Sequence, residues 1–287
     1  MRAVEVSALG GPEVLRVVER PDPVPGEGQL LVRVRAATVN PADLAARTGQ
    51  IPGGPVPPPF LIGWDVAGEV VGGDAGIPLG TDVVGLIPWH LSRGAIGAYA
   101  ELVAVDAGWV VPLPDGLDPV AAATVPLNGL TAHRALDLLD VKTPTTVLVT
   151  GASGGVGGFA AQLALRRGHT VLACATHDDE EWVRGLGVHS VIPRGAGLDR
   201  AVPAVLDAVP LGGIKGDVVV ATRPLPDQDH KLVLVEPDRE ALSGLVAALA
   251  DGTLRTRVSE TFPLEAAAEA HRRLESGGVR GKLVLTL

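Results

Sequence analysis

The chain has 287 residues, 46% hydrophobic and 20% charged, and carries a formal net charge of −9 at pH 7. Its length favours two lobes over one, and its composition excludes a disordered chain. An acidic balance with no basic block excludes a broad nucleic-acid footprint and a polybasic membrane anchor.

Aromatic residues make up 3%, so the core has to be built from Ala, Val and Leu. Such residues suit parallel strands buried on both faces. The single cysteine, Cys174, allows no internal disulfide and no Cys-rich zinc site, and a cytoplasmic compartment is expected. No apolar run resembles a signal peptide or a bilayer span.

In chain order, residues 1–8 and 29–37 read as strands, separated by the loop Pro21–Gly26. A second Pro/Gly stretch, Ile51–Phe60, reads as a surface loop. Short strands follow at 65–71, 82–87 and 100–105, which predicts a β-rich, barrel-like lobe. Leu117–Leu139 is helical in composition, broken at Pro126–Gly129. Then come the strand Thr146–Thr150, a helix over 159–167, the strand Thr170–Ala175, a helix over 179–186 and a strand over 188–192. This β-α-β-α-β order predicts a parallel sheet with right-handed crossovers. Beyond 195 the pattern loosens. Strands are expected at 218–220, 232–235, 256–259 and 282–287, and helices at 240–250 and 264–274.

The strongest motif is Thr150-Gly151-Ala152-Ser153-Gly154-Gly155-Val156-Gly157, where a strand hands over to a helix. Glycines there permit a sharp turn and close approach of backbone to a pyrophosphate. The helix N-terminus then offers N–H groups and a favourable dipole. NAD-binding units usually end the second strand with an acidic residue that holds the ribose hydroxyls. Here Ala175 stands in that place, so nothing there repels a 2′-phosphate. Thr176, Arg184 and Arg194 are candidate phosphate partners, while Asp178 and Asp179 lie close by. NADPH is therefore expected over NADH.

Several segments resemble the medium-chain dehydrogenase/reductase superfamily, in its zinc-independent quinone oxidoreductase (zeta-crystallin-like) branch. They are Gly10–Leu15, Ala37-Thr38-Val39-Asn40-Pro41-Ala42-Asp43, Gly63-Trp64-Asp65-Val66-Ala67-Gly68, Pro126–Ala132, Phe262-Pro263-Leu264 and Gly281–Leu285. The resemblance covers nearly the whole chain. It implies an α/β protein with a doubly wound Rossmann domain, 116–254, inserted into a β-rich GroES-like catalytic domain, 1–115 plus 255–287. Short-chain dehydrogenases share the glycine loop but need a later Tyr-x-x-x-Lys. The only tyrosine here is Tyr99, upstream of the loop.

Zinc members of the family place a Cys where Asn40 stands and a His where Trp64 stands. Neither substitute is a good ligand, so no metal is expected. The resemblance implies hydride transfer to a quinone or an α,β-unsaturated carbonyl, whose developing oxyanion needs hydrogen-bond donors. Asn40 is the first candidate, for that oxygen or for the nicotinamide ribose; otherwise it is a turn residue before Pro41. Thr131 is placed near the nicotinamide, or caps a helix. Asp43 reads as a partner for backbone N–H groups or as an acid. Tyr99 and His90 are the nearby groups able to pass a proton. Trp64 is a pocket wall or a core residue, and Lys282 a cofactor contact or a solvated cation.

Two departures stand out. The Tyr that often follows Asn-Pro-x-Asp is absent from Leu44-Ala45-Ala46-Arg47. The cofactor domain is short, with a helix and turn expected over 205–220 compressed into 206–216, which puts one sheet element in doubt. Three functions remain open: a quinone or enone reductase, a biosynthetic enoyl reductase, and a non-catalytic nucleotide-binding scaffold. A homodimer acting on a lipophilic small molecule is expected.

Overall fold

The computed structural model describes residues 1–196, 201–209, 211, 214–226 and 229–287. It divides into two compact units, Met1–Leu127 with Glu236–Ala250 and Arg257–Leu287, and Asn128–Val235 with Asp251–Thr256.

The first unit is β-rich. β1 (Arg2–Val6) lies between β2 (Leu15–Glu19) and β4 (Phe60–Leu61) in a three-stranded antiparallel sheet. A seven-stranded sheet is organised on β3 (Gln29–Val39), which pairs with β5 (Asp65–Gly73), β7 (Leu102–Asp106) and β16 (Lys282–Thr286). β6 (Asp82–Leu86) and β8 (Val110–Pro112) extend it on one side, and β15 (Val258–Pro263) on the other. β3 alternates as a half-buried strand should. Leu30, Val32 and Val34 are buried, while Arg33 and Arg35 face solvent, where Arg35 pairs with Glu69 and Asp82. Four helices accompany this unit: α1 (Pro41–Thr48), α2 (Trp89–Ser92), α3 (Pro119–Ala122) and α8 (Ala267–Glu275). α7 (Arg239–Ala250) also belongs here, lying against β8, whereas the sequence reading assigns that segment to the cofactor domain.

The second unit holds a six-stranded parallel sheet in the order β11-β10-β9-β12-β13-β14. Its strands are β9 (Thr146–Val149), β10 (Thr170–Ala175), β11 (Ser190–Pro193), β12 (Val202–Asp207), β13 (Gly216–Ala221) and β14 (Lys231–Leu232). This is the doubly wound order with its switch point between β9 and β12. α5 (Gly155–Arg166) crosses from β9 to β10, and α6 (Glu180–Arg184) from β10 to β11. The division between the units falls within α4 (Pro126–Leu139). Pro126 opens that helix instead of breaking it, as a missing N–H permits at a first turn.

The expectation that the sheet lost an element is corrected: all six strands are present, β12 among them, and the connections have shortened instead. Only eight residues, 208–215, join β12 to β13, and no helix occurs among the described ones. Returning along a six-residue strand takes about 20 Å. Eight residues reach about 26 Å when extended but about 12 Å as a helix. A regular helix of eight residues falls short of that return. Leu211, Ile214 and Leu225 from the connections pack on Leu148, Cys174, Val205 and Val219 in place of helix side chains.

Candidate active site

Asn40 closes β3 and caps α1. Asp43 Oδ2 accepts the Asn40 backbone N–H at 2.8 Å, the reach-back half of a capping box. The Asn40 side chain faces the interior. Its Nδ2 donates to Asp65 Oδ2 at 2.8 Å and to Thr38 Oγ1 at 3.1 Å, and its Oδ1 accepts from Lys282 Nζ. An ammonium can only donate and a carboxylate only accept, so this amide orientation is fixed and both of its hydrogens are engaged. Asp65 also accepts from Thr38 Oγ1 and from the Leu127 backbone N–H at 2.6 Å. Thr38, Asn40, Asp43, Asp65 and Lys282 are all buried.

A second chain runs from this cluster. Arg47 Nη1 lies 3.2 Å from His271 Nδ1, and His271 Nε2 lies 3.3 Å from the Tyr99 hydroxyl. Guanidinium only donates, so Nδ1 is the acceptor and Nε2 carries the proton. Tyr99 Oη in turn reaches Thr38 O at 3.3 Å. Glu275 pairs with Arg47. Burial lowers His271 to about 3, with the Arg47 charge adding to the effect, so the imidazole stays neutral. Burial, then the Asp43 charge, pushes Tyr99 well above the usual phenol value.

Burial lifts the Asp43 carboxyl to about 7, against the Asn40 N–H bond. Burial also raises Asp65, with Lys282 opposing it. Lys282 is lowered by burial, while Asp65 and Asp43 act the other way. Asp43 is thus the group that takes the proton near neutrality, and the Asn40 amide bridges Lys282 and Asp65.

Gly63 places Trp64 at the mouth of β5. Its φ of +112 is one that L side chains rarely adopt, and a Cβ there would meet Tyr99 Cδ1 at 2.6 Å. The Trp64 ring stacks on His90, with centroids 5.8 Å apart and planes 18° apart. It also lies 5.9 Å from Trp89.

In the second unit, Gly151–Gly157 runs from the end of β9 into α5. The N-cap is Gly154, and no side chain caps the helix. A Cβ on Gly157 would meet Gly151 O at 2.2 Å, so only glycine lets the helix start this close to the loop. Thr150 Oγ1 donates to buried Asp207 Oδ1 at 2.6 Å and accepts from the Val209 N–H at 3.0 Å, tying the loop to β12. Uncapped N–H groups in a loop whose Gly151 and Gly157 leave no room for a Cβ fit a pyrophosphate. Ala175 ends β10, and the Arg194 N–H donates to its carbonyl at 2.8 Å. Thr176 Oγ1 donates to Asp179 at 3.0 Å. Arg184 pairs with Glu180 on the exposed side of α6.

The structure therefore brings Asn40, Asp43, Tyr99 and Lys282 into one buried network of the first unit. Gly151, Ser153, Gly154, Gly155, Val156, Gly157, Thr176 and Arg194 lie at the carboxyl ends of the parallel strands of the second. Thr131 is buried on α4 in that unit. Sequence reading missed Thr38, Asp65, Arg47 and His271, and also Asp207. Asp65 had a signal in its adjacency to Trp64; His271 had none. Among the described residues, no group of three or more His, Cys, Asp or Glu side chains is placed to hold a metal. No helix there is long and apolar enough to cross a membrane.

A doubly wound sheet with an uncapped glycine cradle, in one chain with a β-rich unit of this topology, defines a dinucleotide-binding protein of the alcohol dehydrogenase class. The comparisons agree. Residues 26–115 match the alcohol dehydrogenase GroES-like domain family, and residues 196–285 match a family described as zinc-binding dehydrogenase. Human quinone oxidoreductase is 31% identical over 330 aligned positions, covering 100% of this chain and 98% of that protein. The pikromycin polyketide synthase component PikAII of Streptomyces venezuelae is 32% identical over 306 positions, 93% of this chain but 8% of its own length. The structure of the quinone oxidoreductase from Coxiella burnetii superposes with a TM-score of 0.89 at 29% identity, covering 100% and 99% of the two chains. A mycobacterial protein solved in complex with NADPH gives 0.82 at 27% identity, with both chains fully covered.

The chain belongs to the medium-chain dehydrogenase/reductase superfamily, in its quinone oxidoreductase branch, and is an oxidoreductase of that family. The alignment with the human relative spans 330 positions, of which this chain has 287 residues to fill. The short connections after β11 and β12 are in keeping with that difference.

Proposed function

We propose that the protein is an NADPH-dependent, zinc-independent reductase that transfers hydride to a quinone or an α,β-unsaturated carbonyl. The observation that carries this reading is the glycine cradle at Gly151–Gly157, where Cβ atoms on Gly151 and Gly157 would clash and no side chain caps the helix that follows. When bound, the nicotinamide supplies the hydride. The N–H groups of the cradle would hold the pyrophosphate. Ala175 leaves room for a 2′-phosphate without charge repulsion, and Arg194 and Thr176 follow the same strand ends. The relative solved with NADPH supports this choice.

Support for zinc-independent chemistry comes from the donor set. The Asn40 amide is engaged by Lys282 and Asp65, and an indole offers no lone pair to a metal. A second reading, an enoyl reductase working on a carrier-bound intermediate, is favoured by the match to the polyketide synthase component.

The test is calorimetric titration with NADPH and with NADH at one fixed salt concentration, followed by turnover of 1,4-benzoquinone, cyclohex-2-enone and a crotonyl thioester. Tight NADPH binding, weak NADH binding and turnover of the quinone or enone are expected. Turnover of the thioester alone favours the second reading. Binding of neither nucleotide by the folded protein defeats both and leaves a non-catalytic scaffold.

A further inference from the structure

The glycine cradle contains no lysine or arginine between Thr150 and Gly157, and a carboxylate stands at its entrance. Asp207, at the end of β12, is buried, and its Oδ1 accepts from Thr150 Oγ1 at 2.6 Å. A negative charge this close to the loop opposes a phosphate unless a cation offsets it. The cation comes from the end of β13. The Thr222 N–H donates to Asp207 O at 3.1 Å. That bond sets the next residue, Arg223, beside the same carboxylate, with Nη2 3.8 Å from Asp207 Oδ2.

The pair with Asp207 leaves Arg223 with donors to spare. At 3.8 Å the contact is an ion pair without a hydrogen bond, and Nη2 has no hydrogen-bond partner among the described residues. The side chain is 36% exposed, so the guanidinium is open to solvent at the carboxyl ends of the parallel strands. Arg184 in the same unit shows the contrast, with Nε and Nη2 both donating to Glu180. A guanidinium only donates, through a planar fork that suits an oxyanion. The topology decides which oxyanion. In a doubly wound sheet the pyrophosphate crosses at the switch point, here between β9 and β12, and each half of the sheet carries one mononucleotide. β10 and β11 serve the adenosine half, with Ala175 and Arg194 at their ends. β12 and β13 are left for the nicotinamide half. Thr150, Asp207 and Arg223 all lie in the second unit.

We propose that Arg223, steadied by Asp207, donates to the 5′-phosphate of the nicotinamide half of the cofactor. This rests on the reading of the second unit as a dinucleotide site. The two arginines then divide the cofactor between them. Arg194 meets the 2′-phosphate that only NADPH carries, and Arg223 meets a phosphate that NADPH and NADH share. Arg223 also offsets the Asp207 charge, which would otherwise face the bound phosphates.

The experiment titrates the full-length wild type and Arg223→Gln by calorimetry with NADPH, NADH and adenosine 2′,5′-bisphosphate, which has no nicotinamide half. R223Q is expected to lose at least about tenfold for both NADPH and NADH, as the removal of a charge-assisted hydrogen bond implies, and less than about twofold for the bisphosphate. Its NADPH affinity should also fall less steeply with added salt. Because R223Q leaves the Asp207 charge without its partner, the double variant D207N/R223Q is titrated beside it. The asparagine Oδ1 can still accept from Thr150, and the same selective loss is expected. Unchanged NADPH affinity in either variant, or an equal loss for the bisphosphate, overturns the role of Arg223 while the wild type still binds NADPH. A folded wild type that binds neither nucleotide overturns the cofactor reading itself, and the role of Arg223 with it.

Discussion

Lys282 and Asp65 hold opposite ends of one carboxamide, that of Asn40, at the junction of β16, β3 and β5. Both groups are buried, where burial disfavours the charge on each and the other's charge opposes that effect. Removing one partner of such a pair leaves the other uncompensated, which typically costs about 3–5 kcal/mol. Lys282→Met is therefore expected to lower unfolding stability by that order in urea at pH 7. Loss of less than about 1 kcal/mol would mean that Lys282 reaches solvent or cofactor instead.

Asp43 and His271 bend the pH dependence of stability in opposite directions. Asp43 sits at about 7 when folded, raised by burial from 3.8. Its contribution is complete below the unfolded value and is lost as pH rises through about 7. His271 sits at about 3, lowered from 6.5. Its contribution is complete above 6.5 and is lost as pH falls toward 3. Asp43→Asn should remove the first arm and leave stability rising with pH from about 4 to 7. The gain over wild type at pH 8 is on the order of a few kcal/mol at most. H271N should leave the opposite slope. Chemical denaturation at pH 4.5, 6 and 8 distinguishes the two, and parallel profiles for all three proteins would sink the assignment.

The parts of this fold that were legible in the sequence share one property: their signal is local. The glycine loop, the strand Thr170–Ala175 and the Asn40-Pro41 cap each declare themselves within a few residues. β12 did not, because Pro203 interrupts its apolar run and no helix occurs among the described residues that follow it. Asn40 is a candidate on its own residue type and neighbours, yet its partners in the structure lie up to 242 residues away, and no spacing rule reaches that far. The state of its amide, engaged or free, is a property of Lys282 and Asp65 and is visible only once the chain is folded. The same holds for Arg47. In sequence it stands in the run that lacks a tyrosine, and in the structure its guanidinium fixes the tautomer of His271.

The cradle gives a sharper test of backbone geometry. A Cβ on Gly157 would sit 2.2 Å from Gly151 O, a contact that forces the loop and α5 apart. Gly157→Ala is expected to cost about 1–3 kcal/mol in stability and to weaken NADPH binding at least tenfold, since the N–H groups no longer converge. Calorimetry on a sample whose folding is checked by circular dichroism reads both. Unchanged affinity would remove the cradle from the cofactor site.

Arg194 and Arg184 make opposite predictions for the 2′-phosphate, although sequence offered both. Arg184 is already paired with Glu180 one turn away, at 2.9 Å through Nε, on an exposed surface where such pairs contribute only about 0.3–0.5 kcal/mol. Its replacement by Gln should change NADPH affinity less than about twofold. Arg194 follows β11, and its backbone is bonded to Ala175 O, at the strand end where the ribose is read. A charge-assisted bond to phosphate is worth roughly 1.5–3 kcal/mol, so Arg194→Gln should weaken NADPH at least tenfold and leave NADH nearly unchanged. Ala175→Asp places a carboxylate against the same phosphate and should reverse the preference. Titrating the three variants with both nucleotides at one salt concentration separates the possibilities. Equal losses for NADPH and NADH in R194Q would show that Arg194 serves the fold and not the phosphate.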